Sequence, residues 1–201
     1  MDIIQSTELP RIISVLRQGG VIVFPTETSY GLGCDPRNSA ATGKIYRIKG
    51  RETSKALPLV ACSSEQVMSL FEVTPAVQDL LKRYWPGPLT VLLEPSDMSL
   101  RRQMPVFKDG LAAVRVSSHP FVQALACAYG FPLTSTSANV SGQEPCLSAK
   151  QAEYIFSTLE PSRRPDLIVD GGELPPSEPS TIVKVSPQGQ IEIVRQGAVR
   201  L

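Results

Sequence analysis

Short, densely apolar runs alternate along the chain with longer stretches whose apolar residues recur every three or four positions. Residues 7–18, "TELPRIISVLRQ", have the helical spacing and stop at the glycine pair 19–20. "VIVF" at 21–24 follows as a buried strand, broken by Pro25. The chain from Pro25 to Pro36 reads as a loop, and a helix runs from about Asn38 to Ile48. "LPLVA" at 57–61 is the next strand, and "SSEQVMSLF" a helix capped by Ser63 or Ser64. "TPAVQDLLKRYW" repeats that design, with Thr74 as cap and Pro75 at the first helical position.

"PLTVLLE" at 88–94 and "LAAVRV" at 111–116 read as strands, and "HPFVQALACAYG" as a helix stopped by Gly130. "SAKQAEYIFSTL" is the last helix, before three late strands in "LIVDGG", "STIVKV" and "IEIVRQG". Strands alternating with helices predict an α/β fold: one twisted, mixed sheet flanked by helices. Short turns between the closing strands predict antiparallel pairing there.

A length of 201 residues, with no internal repeat or linker, suits a single domain over 1–201. Hydrophobic content of 42% and charged content of 19% are those of a soluble globular protein. The net charge of +1 excludes a global field for polyanions, so any nucleic-acid surface must be a local patch. The apolar runs are too short to cross a bilayer, and no basic and apolar leader opens the chain. Cys34, Cys62, Cys127 and Cys146 lie far apart with no C-x-x-C pair, which reads as free thiols in a reducing cytoplasm. The one histidine, His119, excludes a His-rich zinc site and is the only base available to a Ser-His-Asp triad.

Polar clusters follow several of the apolar segments. "STSANVSG" at 135–142 packs short hydrogen-bonding side chains that suit phosphate or carboxylate oxygens, or a turn bonding only its own backbone. "KGR" at 49–51 offers an ammonium and a planar fork to one anion, or simply completes a helix end. Arg115 interrupts an apolar strand, where alternation puts it on the face opposite Val114 and Val116. Facing solvent it needs nothing; enclosed, it requires an anionic partner from the chain or a ligand.

The ordered set "FPTETSYGLGCDP", "IYRIKGR", "YWPGPLTVLL", "AVRVSSHP", "STSANVSG", "PSTIV" and "IVRQG" resembles the YrdC-like family of threonylcarbamoyl-AMP synthases, from about residue 10 onward. The resemblance implies a YrdC-like fold with a concave basic surface. It implies formation of L-threonylcarbamoyl-AMP and pyrophosphate from L-threonine, bicarbonate or CO2, and ATP with Mg2+. Protein partners of the threonylcarbamoyl-transfer machinery would then serve tRNA, in the cytoplasm.

Carried over by position, Lys49, Arg51, Ser137 and Asn139 match the K-x-R…S-x-N set that serves the nucleotide, with Ser141 and Arg195 as further contacts. Lys49 and Arg51 are the candidates for accelerating the chemistry. Thr26 and Tyr30, in P-T-[DE]-T-x-Y-G-L, would line the threonine pocket with Arg115, Ser135 and Ser180, Arg115 holding the amino-acid carboxylate. No residue set suggests a resident metal. The chain departs from the family pattern at Glu52, at Leu111 and in "KALPL" at 55–59. Two other readings stay open. One is an RNA-binding YrdC-like protein using the cations of 37–55 on tRNA or double-stranded RNA. The other is a paralogue adenylating a different carbamoyl or amino-acid substrate.

Overall fold

The apolar strand runs build two mixed sheets rather than the single one expected. The computed structural model describes residues 1–53 and 55–201. In chain order the elements are β1 (Asp2–Gln5), α1 (Leu9–Arg17), β2 (Ile22–Pro25), β3 (Tyr30–Gly33), α2 (Ser39–Lys49) and β4 (Leu59–Ala61). Next come α3 (Ser64–Leu70), α4 (Pro75–Tyr84), β5 (Leu89–Leu93), α5 (Met98–Gln103), β6 (Ala112–Val116) and α6 (Pro120–Tyr129). The chain closes with β7 (Leu133–Thr134), β8 (Thr136–Ser137), α7 (Ala149–Ser157), β9 (Leu167–Asp170), β10 (Thr181–Val185) and β11 (Ile191–Arg195). One sheet has the order β1-β9-β2-β3-β8, the other β11-β10-β5-β6-β4-β7.

The strands are short because both faces must be covered. Val21, just before β2, and Val23 on it join the core shared by the two sheets, while Ile22 and Phe24 pack beneath α1 and α6. β4 divides the same way, Leu59 and Ala61 to one side and Val60 to the other. Burial on both faces accounts for unbroken apolar runs with no polar alternation. Helix boundaries follow side-chain caps: Asn38, Ser63, Thr74 and Ser148 each accept a hydrogen bond from the first turn, and Gly130 ends α6 at a left-handed φ of 81°. No helix among the described residues is long and apolar enough to cross a membrane.

The segment 25–36, read as a loop, contains the second arm of a hairpin. β2 and β3 pair antiparallel around the turn Thr26–Ser29, in register Pro25↔Tyr30 to Ile22↔Gly33. Gly33 is required there, since any Cβ would run into the Thr134 carbonyl. The expected antiparallel closure holds for β10 and β11, whereas β9 leaves for the other sheet and pairs in parallel with β1 and β2.

The hydroxyl-rich stretch 133–137 joins the two layers. β7 pairs with β4 in one sheet and β8 with β3 in the other, so the chain changes sheets at Ser135. The thiol expectation needs correction. Cys34 and Cys146 are free and buried, but Cys62, just past β4, is disulfide-bonded to Cys127 on α6. Packing of α6 over β4 places their Cα atoms 4.8 Å apart across a sequence separation of 65.

Candidate functional site

Where the hairpin turn, the end of α2 and the 135–139 segment face β5, β6 and β10, they enclose a cavity of about 960 Å³. Among the described residues, six cations line it: Arg51, Lys55, Lys108, Arg115, Lys184 and Arg195, against the acids Asp109 and Glu144. A chain with almost no net charge therefore concentrates positive charge in one concave place, which suits an anionic ligand.

At the cavity wall the α2 terminus meets the Ser137–Asn139 turn. Lys49 is the last residue of α2, and Gly50 turns the chain outward at a left-handed φ of 58°. Lys49 is 3% exposed, and its ammonium donates to the Ser137 carbonyl and to Asn139 Oδ1, both at 2.6 Å, and to the Asn139 carbonyl at 3.2 Å. Ser137 Oγ also donates to Asn139 Oδ1 at 2.9 Å, and Asn139 Nδ2 donates to the Gln143 carbonyl at 2.5 Å. The turn is thus folded around a buried cation. Burial first, then the nearby Arg51, push the Lys49 ammonium down to about 8, while Cys146 opposes them. Arg51, two residues on, lies in the cavity wall with Ser137 and Asn139.

Arg115, Ser180 and Arg195 line the same cavity. Arg115 is enclosed, not solvent-facing: its guanidinium donates to Glu27 Oε1 at 2.6 Å. The required anion thus comes from the hairpin turn. Ser180 Oγ accepts from Thr90 Oγ1 at 2.9 Å and from Arg195 Nη2 at 3.0 Å. Burial lowers the Arg195 pKa and the Arg115 charge lowers it further, so two guanidiniums face the same space. An incoming carboxylate or phosphate would relieve their repulsion.

The remaining expected residues divide. Thr26 and Ser135 line the cavity, with Thr26 Oγ1 closing its own turn on the Ser29 carbonyl at 2.7 Å. Tyr30 borders it, but the side chain is fully buried and its hydroxyl donates to the Gly172 carbonyl at 2.7 Å. Lys49 and Ser141 are outside the wall: Lys49 lies behind the turn, and the Ser141 amide donates to the Lys49 carbonyl at 2.9 Å. Arg195, expected with the nucleotide residues, sits beside Ser180 and Arg115. The departures at Lys55, Ala56, Pro58 and Leu111 all line the cavity.

Glu27 and Thr90 are participants that sequence reasoning missed. Glu27 stood within "PTETSYGLG", the acid position of a motif read for its threonine and tyrosine. The basic run 37–55 is dispersed. Arg37 pairs with Asp35 and stacks on Phe131, Lys44 pairs with Asp166, and Lys49 is internal. Among the described residues no cluster of three or more His, Cys, Asp or Glu could hold a metal ion.

Comparison with known proteins adds a second line. Residues 14–197 match the family model Sua5_yciO_yrdC, described as "Telomere recombination". The chain is 42% identical over 171 residues to a threonylcarbamoyl-AMP synthase of Marinobacter nauticus, covering 83% of this chain and 85% of that protein. It is 39% identical over 176 residues to one of Vibrio vulnificus, covering 82% and 94%. P. abyssi Sua5 complexed with L-threonine superposes with a TM-score of 0.84 at 29% identity, over 98% of this chain but 58% of the Sua5 chain. E. coli YciO gives 0.82 at 29% identity, over 97% and 94%.

Proposed function

The chain belongs to the Sua5/YciO/YrdC family, and from that footing we propose that it is a threonylcarbamoyl-AMP synthase. It would join L-threonine, bicarbonate or CO2, and ATP into L-threonylcarbamoyl-AMP and pyrophosphate, for the threonylcarbamoyladenosine (t6A) modification of tRNA in the cytoplasm. One observation supports this reading above the others: Arg51, Ser137 and Asn139 share a single cavity with Arg115, Ser180 and Arg195. That gives two anion-binding poles facing one enclosed space.

The chemistry asks for this division. The amine of threonine adds to CO2 and loses a proton to solvent, giving a carbamate whose carboxylate attacks the α-phosphorus of ATP. A new P–O bond forms, the bond to the bridging oxygen breaks, and pyrophosphate leaves with the electron pair. The carbamate is already an anionic nucleophile, so the protein needs no covalent intermediate. Its work is orientation and stabilisation of charge on the phosphoryl oxygens.

Arg51 and the Ser137/Asn139 turn would hold the triphosphate, with Lys49 keeping that turn in shape. Arg115, with Ser180 and Arg195 beside it, would hold the threonine carboxylate. The donor set fits Mg2+ arriving on the nucleotide rather than in a protein cage, because phosphate oxygens and water supply most of its ligands in such sites. When bound, the ion neutralises triphosphate charge. Protein partners would carry the adenylate onward to tRNA.

The test is pyrophosphate release from ATP and Mg2+, with threonine or bicarbonate omitted in turn. Release should require both, and Arg51→Ala should lower it by roughly ten- to a hundred-fold, the loss of one charge-assisted hydrogen bond. Release that needs neither substrate, or that depends on another amino acid, would defeat the proposal.

A further inference from the structure

Glu27 sits at the tip of the β2–β3 turn, in one sheet, and its carboxylate reaches across to the end of β6 in the other. Both of its oxygens are engaged there. Oε1 accepts from Arg115 Nη1 at 2.6 Å, and Oε2 accepts a short hydrogen bond from Ser117 Oγ. Ser117 is itself fully buried, and its Oγ accepts from the His119 amide at 3.2 Å. The carboxylate is therefore held from two directions by residues of one segment, with side-chain exposures of only 8% for Arg115 and 12% for Glu27. Glu27 does not line the cavity, whereas Arg115 does.

We infer that Glu27 is the positioning residue that presents Arg115 to the substrate carboxylate. This rests on the proposed role of Arg115 in holding threonine. Glu27 engages Nη1, the one guanidinium nitrogen of Arg115 that makes a hydrogen bond among the described residues. The unused donors of a guanidinium lie in its plane, so fixing one nitrogen fixes the direction of the others. Charge points the same way. Arg115 and Arg195 face the same space and repel, and the Glu27 carboxylate offsets one of the two charges. The set Glu27, Arg115 and Arg195 keeps one net positive charge, which matches one substrate carboxylate. Without Glu27 the Arg115 fork would be free to swing away from Arg195, and the carboxylate site would lose its shape before the nucleotide site did.

Steady-state pyrophosphate release by the full chain separates the possibilities. Glu27→Gln keeps the side-chain volume and removes the charge. It should raise KM for L-threonine by about ten-fold or more, leave kcat within about three-fold, and leave KM for ATP within about two-fold. Glu27→Asp, which restores the charge on a shorter stem, should recover part of the loss, and Ser117→Ala should show a weaker form of the same pattern. Combining Glu27→Gln with Arg115→Lys should add little to Arg115→Lys alone, because both act through one contact.

A fall in kcat with both KM values unchanged, or a lowered melting temperature as the only effect, would reduce Glu27 to a structural residue and overturn the inference. If Arg115→Lys raises KM for threonine and Glu27→Gln does not, this inference fails alone. If Arg115→Lys also leaves KM unchanged, the carboxylate role of Arg115 fails with it.

Discussion

Replacing Lys49 by alanine is expected to lower pyrophosphate release by roughly a hundred-fold and to destabilise the fold, although the ammonium never enters the cavity wall. Lys49 Nζ supplies the donors for two carbonyls and the Asn139 side chain within one turn. Hydrogen bonds to a charged group contribute about 1.5–3 kcal/mol each, and alanine would leave these oxygens buried without a donor. Two such losses reach about 3 kcal/mol or more, which corresponds to at least a hundred-fold in rate if the turn must hold its shape in the transition state. Arg51→Ala should lower the rate with little change in melting temperature, because Arg51 lies in the wall and, among the described residues, its side chain makes one long hydrogen bond, to the Ala56 carbonyl at 3.3 Å.

The pH response gives Lys49 a signature. Its ammonium is pushed down to about 8, from an ordinary value of 10.5. Between those values the unfolded chain binds the proton more tightly than the native one, so this group makes stability rise with pH across that window. Activity should move the other way and fall above about pH 8, as the turn loses the charge around which it is folded. In Lys49→Ala both steps should vanish. Identical profiles in wild type and variant would exclude this role.

Arg115→Ala should also be strongly destabilising. It removes one partner of an enclosed ion pair and leaves Glu27 with Ser117 as its other contact. Breaking a buried pair from one side typically costs about 3–5 kcal/mol, because the remaining charge stays desolvated. In a domain of this size that corresponds to a melting temperature lower by roughly 10 °C. By contrast, the exposed Arg11–Asp2 pair, with side-chain exposures of 51% and 66%, should hardly register when broken. A scanning-calorimetry shift of Arg115→Ala as small as that of Arg11→Ala would mean that the Glu27 pair does not support the site.

The parts of the fold legible in the sequence are those with local causes. Asn38, Thr74 and Gly130 mark helix ends through bonds or backbone angles made within a few residues, and each stands where its chemistry indicates. Strands were legible where β-branched runs were long enough, as in "VIVF". "YGLG" escaped because two glycines hide its strand, and "LTSTS" because hydroxyl side chains read as turn chemistry while its backbone pairs with two different sheets. β1 and α5, four and six residues long, are too short for periodicity to register.

For the site, the sequence showed which residue types gather but not their depth or grouping: Arg195, expected with the nucleotide residues, stands beside Ser180 and Arg115. K-x-R and S-x-N read as one constellation, yet spacing alone does not reveal that Lys49 is internal while Arg51 lines the cavity. The Arg115–Glu27 contact spans 88 residues and the Cys62–Cys127 bridge 65. Both depend on which strands and helices are neighbours, which no local pattern records.

A crystal structure of the chain with a non-hydrolysable ATP analogue, Mg2+ and L-threonine bears most directly on whether one cavity holds both substrates. The expected result places the triphosphate within hydrogen-bond distance of Arg51 and the Ser137–Asn139 turn, with the threonine carboxylate on Arg115. Phosphates bound elsewhere on the surface, with the cavity left to solvent, would contradict it.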